Sequence, residues 1–272
     1  SPMRCLFLLL HCLACFTGCS HAPETGRSQF IVMSSSQEIR LGQEAYTEIL
    51  KEETTITSGA NYEMVQRVGA RVAVAADRLY PEAVKGYKWK FALIKDKEMV
   101  NAWALPGGKC AIYTGLLPVT ENEGGLAIVM AHEVAHVISR HGAERASHSM
   151  VTAVVAGVAM SEMNKTDRTI VLAAYGLGVA FPFSRIQETE ADQLGLYIAA
   201  DAGYDPREAI PLWKRMGKAG KKAPAEFMST HPSSESRIAK LRGWMPKAMM
   251  YYDNAVAHEA ALKRKNQSEN TM

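Results

Sequence analysis

The chain has 272 residues, 47% of them hydrophobic and 22% charged, with a net charge of +3. That length suits one large domain or two small ones, and the composition is that of an ordinary globular protein. So small a net charge, without a long basic stripe, argues against a nucleic-acid partner.

In chain order, Met3-Arg4 followed by the apolar run Cys5 to Phe16 reads as a secretory signal peptide over residues 1–18. Phe16-Thr17-Gly18-Cys19 has the form of a bacterial lipobox, which makes Cys19 a lipidation site and the membrane a partner through its acyl anchor. An ordinary cleaved leader is the other reading. Four of the five cysteines (Cys5, Cys12, Cys15, Cys19) fall in this leader, so only Cys110 remains in the body and no internal disulfide can form. Ser20 after the cysteine points to the periplasmic side of the outer membrane. Residues 19–35, rich in Ser, Thr, Gly and Pro, read as a flexible tether, and residues 36–250 as a single domain.

Ile39, Tyr46, Ile49 and Leu50 recur at helical spacing, as do Val65, Val68, Val72 and Leu79 in a second helix from Tyr62 to Leu79. Tyr87 to Tyr113 reads as a β-meander: Trp89, Phe91 and Leu93 alternate, Asp96-Lys97 turns, Met99 to Ala104 is a second strand, and Pro106-Gly107-Gly108 turns into Cys110, Ile112 and Tyr113. Thr120-Glu121-Asn122-Glu123 fits a capping box for a helix expected to run through Arg145 to His148. The apolar runs Val151–Met160 and Ile170–Phe183 are too short to span a bilayer; buried helices are expected, with a membrane- or substrate-facing flap over 149–184 as the other reading. Ile186 to Ala200 is helical, and Gly203-Tyr204-Asp205-Pro206 caps the next helix, Arg207 to Met216. A solvated basic loop from Gly217 to Pro224 and a last helix opened by Thr230-His231-Pro232-Ser233 follow, with 251–272 as a frayed tail.

The chemistry sits in His132-Glu133-Val134-Ala135-His136, an H-E-x-x-H motif. Histidines four apart on a helix lie on one face, one turn apart, where they can share a Zn²⁺, and Glu133 reaches the same neighbourhood as a general base. A catalytic zinc needs a third protein ligand. Where a third histidine of the metzincin pattern would stand there is Gly142, and His141 and His148 lie off the face of His136, so both are expected at the surface. Glu188-Thr189-Glu190-Ala191-Asp192 offers Glu188 and Asp192 on one helix face, with Glu190 pointing elsewhere. One acid could ligate and the other orient a ligand histidine; an exposed acidic helix fits the same residues equally well.

H-E-x-x-H followed by E-x-x-A-D resembles the gluzincin metallopeptidases of the HtpX and CAAX-prenyl-protease type, in particular their periplasmic lipoprotein branch. The resemblance runs from about Glu38 to Trp244. It includes Gln37-Glu38-Ile39-Arg40-Leu41-Gly42, Asn101 to Gly108, Ser184-Arg185, Gly203 to Pro206, and Ser229-Thr230-His231-Pro232 with Arg237-Ile238. It implies an α+β, mostly helical zincin-type fold with a small β-meander whose edge strand flanks the active-site helix. It further implies one Zn²⁺ per chain on His132, His136 and Glu188, with Asp192 behind them and Glu133 as general base. His231 is then an oxyanion donor or a resting-state zinc ligand, supported by Arg237. Asn101, Ala102, Trp103 and Ala104 become the strand on which a substrate is laid. The function implied is a zinc metalloendopeptidase of the bacterial cell envelope acting on extended or misfolded proteins. The rivals are a metal-gated chaperone that assists outer-membrane assembly partners, and a zinc-dependent esterase or amidase.

Overall fold

The computed structural model describes residues 20–155, 183–222, 226–231 and 236–269. Cys19, the expected leader and residues 156–182 of the expected flap lie outside them. Strands β1 (Ser20–His21) and β2 (Ser28–Gln29) form a small antiparallel hairpin, Ser20 opposite Gln29. The flexible tether expected here is therefore corrected. Ala22, Gln29 and Ile31 are buried, and Arg27 is held by two carboxylates of the body, so this polar segment is ordered by ion pairing that composition does not disclose.

A capping box between Ser34 and Gln37 opens helix α1 (Ser35–Glu52). Helix α2 (Ala60–Leu79) buries Val65, Val68, Val72 and Ala76 as one stripe. Four strands, β3 (Thr55–Ile56), β4 (Lys90–Ile94), β5 (Ala102–Leu105) and β6 (Lys109–Tyr113), make a sheet of order β3-β4-β6-β5. The expected meander is thus wrong. β4 lies parallel to β6, Phe91 beside Cys110, while β5 returns antiparallel on the other side, Trp103 opposite Ala111. The cause is local. Asp96 does not make a tight hairpin; its carboxylate accepts from the Glu98 and Met99 amides, and its carbonyl accepts from Gly115. That loop carries the chain past the end of β6, whose five residues are all buried and take a central place. Gly107 and Gly108 close the β5–β6 hairpin at φ 84° and 76°, in the region glycine enters without a Cβ penalty.

The short helix α3 (Leu117–Thr120) precedes α4 (Glu123–Ile138). The expected capping box at Thr120 is not formed: Thr120 bonds to Leu117 within α3, and Asn122 caps α4 by accepting from the Gly125 amide at 2.9 Å. Every residue from Gly125 to Ile138 is buried, so α4 is a central helix covered on all sides. It does not continue to His148. Arg140 adopts φ 53°, a left-handed stop, and α5 (His141–Val155) sets off in a new direction. Glu38 and the Met33 carbonyl hold the Arg140 guanidinium in that turn.

A second capping box, Ser184 with Gln187, opens α6 (Arg185–Asp201). Its Gly195 lies against α4 so closely that an added Cβ would stand 2.8 Å from the His132 nitrogen. Helix α7 (Ala209–Lys222) runs through most of the stretch expected to be a loop from Gly217. The short α8 (Glu226–Thr230) ends at His231, whose amide bonds to the Phe227 carbonyl; His231 closes one helix and does not open the last. Helix α9 (Arg237–Glu269) passes through Pro246 without stopping, so the domain end at 250 and the frayed tail are corrected. Proline removes one intrahelical bond, but contacts beyond it hold the helix: Ala248 is buried, Tyr251 packs on Tyr197, and Glu259 pairs with Arg71. No helix among the described residues is long and apolar enough to cross a membrane.

Candidate metal centre

Helix α4 supplies His132, Glu133 and His136, α6 supplies Glu188 and Asp192, and the end of α8 supplies His231. All six side chains are buried. His132, His136, Glu188 and His231 each offer a ligand atom, and these atoms all lie within 4.8 Å of one another. His136 Nε2 stands 3.1 Å from His132 Nε2 and 3.2 Å from Glu188 Oε1. His231 Nδ1 stands 3.3 Å from His132 Nε2 and 3.0 Å from Glu188 Oε1. Donors at about 2.0–2.1 Å around a tetrahedral ion are separated by roughly 3.3 Å, so the cluster has the size of such a site. The side chains behind the histidines make the same case. Asp192 Oδ1 lies 3.1 Å from His132 Nδ1, and His141 Nδ1 lies 2.9 Å from His136 Nδ1. His136 Nδ1 is engaged by His141, whereas His132 Nδ1 and Asp192 Oδ1 face each other without a formed hydrogen bond. The two Nε2 atoms stand 3.1 Å apart, a gap that a cation between them would fill.

Arg237 closes the cluster from α9. Its Nε donates to Asp192 Oδ2 and its Nη2 to Glu188 Oε2, both at 2.6 Å, and its guanidinium lies 4.0 Å from the centre of the Trp213 ring. Burial alone would raise Glu188, but His231, His136 and His132 outweigh it and hold the carboxyl well below its usual range. Burial pushes His136 well below the usual histidine range, which leaves it neutral as a ligand must be. Glu133 is pushed up, chiefly by burial. Its Oε1 lies 3.4 Å from His231 Nε2. For His231, Glu133 and Glu188 outweigh burial and raise its affinity for a proton.

The sequence-derived residues thus converge, with one correction. His141 was expected at the surface and is fully buried, bonded to His136 and, at 2.9 Å, to Glu190. The expectation assumed one unbroken helix, and the turn at Arg140 brings His141 back under His136. His148 is exposed as expected, beside Phe30. Sequence reasoning also missed Arg27 and Glu144, which complete the shell behind His141; no motif marks either. Asn101, Ala102, Trp103 and Ala104 are all buried, and β5 forms one edge of the sheet. The Asn101 carbonyl accepts from Tyr113, so the alternation of the ladder turns the backbone groups of Ala102 and Ala104 away from β6. The Ala102 amide is met by the Asn101 side chain.

The profile of peptidase family M48 matches residues 60–245. The chain is 34% identical over 242 residues to the mitochondrial metalloendopeptidase OMA1 of Schizosaccharomyces pombe, covering 86% of this chain and 69% of that one. It is 31% identical over 253 residues to the OMA1 of Saccharomyces cerevisiae, covering 88% and 73%. It is 28% identical over 233 residues to the beta-barrel assembly-enhancing protease of Escherichia coli, covering 81% of this chain and 46% of that protein.

Proposed function

The chain belongs to peptidase family M48 and is a metalloendopeptidase, and from that premise we propose that it is a zinc enzyme of the bacterial cell envelope that cuts extended or misfolded proteins. The observation that carries this reading is the buried donor set of His132, His136, Glu188 and His231 with the Glu133 carboxylate beside it. Two imidazoles and a carboxylate are the ligand set of hydrolytic zinc sites. Zinc bound there would supply Lewis-acid polarisation of a scissile carbonyl and acidify a water. Glu133, with its proton affinity raised by burial, takes the proton from the attacking water and returns it to the leaving amine. Arg237 holds Glu188 and Asp192 in place, with Asp192 Oδ1 set 3.1 Å behind His132 Nδ1. His231 stands among the donors as a fourth. It would occupy the open position at rest only after giving up the proton that Glu133 and Glu188 favour on it in the metal-free site, and would withdraw for substrate to enter.

The sheet edge at Ala102 and Ala104 is taken as the place where an extended peptide is added as a further strand, a mode tolerant of side-chain sequence. Both residues are buried and the Ala102 amide is bonded to Asn101, so addition requires that cover to open. The envelope assignment and the Cys19 anchor rest on the leader residues. A second reading, assistance to outer-membrane assembly with proteolysis secondary, is favoured by the name of the Escherichia coli relative.

Cleavage of casein and of an unfolded protein, with and without chelator, tests the proposal. The wild type should carry about one zinc and cleave, and chelator should stop it. Glu133→Gln should keep the metal and lose at least 10²-fold in rate. An unchanged rate in Glu133→Gln would refute the peptidase mechanism, and an assembly function that survives the substitution would establish the second reading. Mass spectrometry of the mature N-terminus tests the anchor, which an unmodified Cys19 would exclude.

A further inference from the structure

The two motif histidines are backed differently. Asp192 stands directly behind His132, whereas His136 Nδ1 meets another imidazole, His141 Nδ1, at 2.9 Å. His141 Nε2 lies 2.9 Å from Glu190 Oε2. Glu190 is gripped in turn by the N-terminal hairpin: Arg27 donates from Nε to Oε1 and from Nη2 to Oε2, both at 2.9 Å, and the Thr25 hydroxyl donates to Oε1 at 2.7 Å. The same guanidinium donates to both oxygens of Glu144, at 2.6 and 2.8 Å. His141 and Glu190 are at most 1% exposed, so water cannot replace these partners.

For neutral rings the protons have a single arrangement. Glu190, bonded by Arg27 at both oxygens, is an acceptor, so the His141 proton sits on Nε2. His141 Nδ1 then carries a lone pair and accepts from His136 Nδ1–H. The Nε2 of His136 is left with its lone pair aimed at the other donors. On an unbroken helix His141 would project about 140° away from His136. The left-handed turn at Arg140 removes that offset, and Gln29 braces the turn by donating to the Ser139 carbonyl at 2.7 Å.

We infer that Arg27, Glu190 and His141 form a relay that sets the tautomer and orientation of His136, so that retention of the metal depends on the N-terminal hairpin. The inference rests on His132, His136 and Glu188 being the metal ligands. Arg27, Glu190 and His141 are positioning residues, since none meets substrate. Loss of His141 frees the His136 ring to turn and to present a protonated Nε2, and loss of such a partner lowers metal affinity roughly 10–100-fold.

The test is Zn²⁺ competition against a chromophoric chelator on the full chain, with ¹⁵N shifts of the His136 ring and melting of the metal-free protein measured alongside. His141→Ala and Arg27→Ala should bind zinc roughly 10–100-fold more weakly. His141→Asn, whose Oδ1 can accept from His136 Nδ1–H, should recover most of the loss. Arg27→Lys, which keeps the charge without the fork, should recover part. His148→Ala should match the wild type. The wild-type His136 ring should carry its proton on Nδ1, and His141→Ala should show a mixture of tautomers. Wild-type zinc affinity in His141→Ala, an Asn variant no better than the Ala variant, or a wild-type ring protonated on Nε2 would each overturn the relay. A wild type that binds no zinc would overturn the ligand assignment instead, and the relay's role in metal retention with it.

Discussion

Replacing Gly195 by alanine should damage the site without touching a ligand. Gly195 lies on α6 where that helix meets α4, and an added Cβ would stand 2.8 Å from the backbone nitrogen of His132 and 2.9 Å from its Cα. Carbon contacts settle at about 3.5–4.0 Å, so α6 must retreat by roughly 0.7–1 Å. The obstacle is the backbone of a buried helix, which cannot rotate aside. Overpacking of this kind costs about 1–3 kcal/mol, or about 2–12 °C in Tm for a domain of this size. The functional cost is larger in proportion. α6 carries Glu188 and Asp192, α4 carries His132 and His136, and a site built across the two helices tolerates only about 0.5 Å. A displacement near 1 Å should lower kcat/KM by roughly 10²-fold and weaken zinc binding. The assay pairs peptide hydrolysis with chelator competition on the purified variant. Wild-type turnover and zinc affinity in Gly195→Ala, at any Tm, would refute the claim that the close helix approach sets the ligand spacing.

Arg237→Leu should lower stability by about 3–5 kcal/mol, because it strands the buried carboxylates of Glu188 and Asp192; a calorimetric Tm within 2 °C of wild type would contradict this. His231→Ala should retain zinc and leave peptide turnover unchanged or raised, since the fourth donor is removed. A 10²–10³-fold fall in kcat with metal retained would instead mark His231 as an oxyanion donor. For Glu144, burial raises the carboxyl, but hydrogen bonds from Arg27, Gln187 and Gln29 outweigh it and hold it below its usual 4.5. The stability it contributes is therefore complete above that value and is lost as pH falls through the lowered one. Arg27→Ala should be less stable than wild type at pH 7, with the gap narrowing in denaturant titrations carried down towards pH 3; a gap independent of pH would count against the pairing.

The helices were legible wherever one apolar stripe met a polar face, as with Val65, Val68 and Val72, because periodicity records burial on one side. The motif helix was legible for another reason: H-E-x-x-H states its own geometry. Sheet order was not, because β4, β5 and β6 are equally apolar, and only the bonding of Asp96 diverts the chain past β6. The ends of helices misled in both directions. Arg140 stops a helix with a residue that carries no stop signal, and Pro246 fails to stop one because tertiary contacts hold the next turns. The residues that meet in the buried donor cluster could be picked out from motif and resemblance, but the groups behind His136 could not. Arg27 and Glu190 stand 163 positions apart, and nothing local to either announces the pairing.

The groups that finish the centre come from far along the chain. The histidines of α4 are made well before Glu188, His231 and Arg237, yet Glu188 and Asp192 need the guanidinium of Arg237 to lie side by side in a buried place. A chain emerging N-terminus first therefore has its motif helix long before it has a working centre. Contacts of such wide sequence separation also form late in folding, after shorter loops have closed. The buried donor cluster therefore stays incomplete until the last helix docks and Arg237 reaches Glu188 and Asp192.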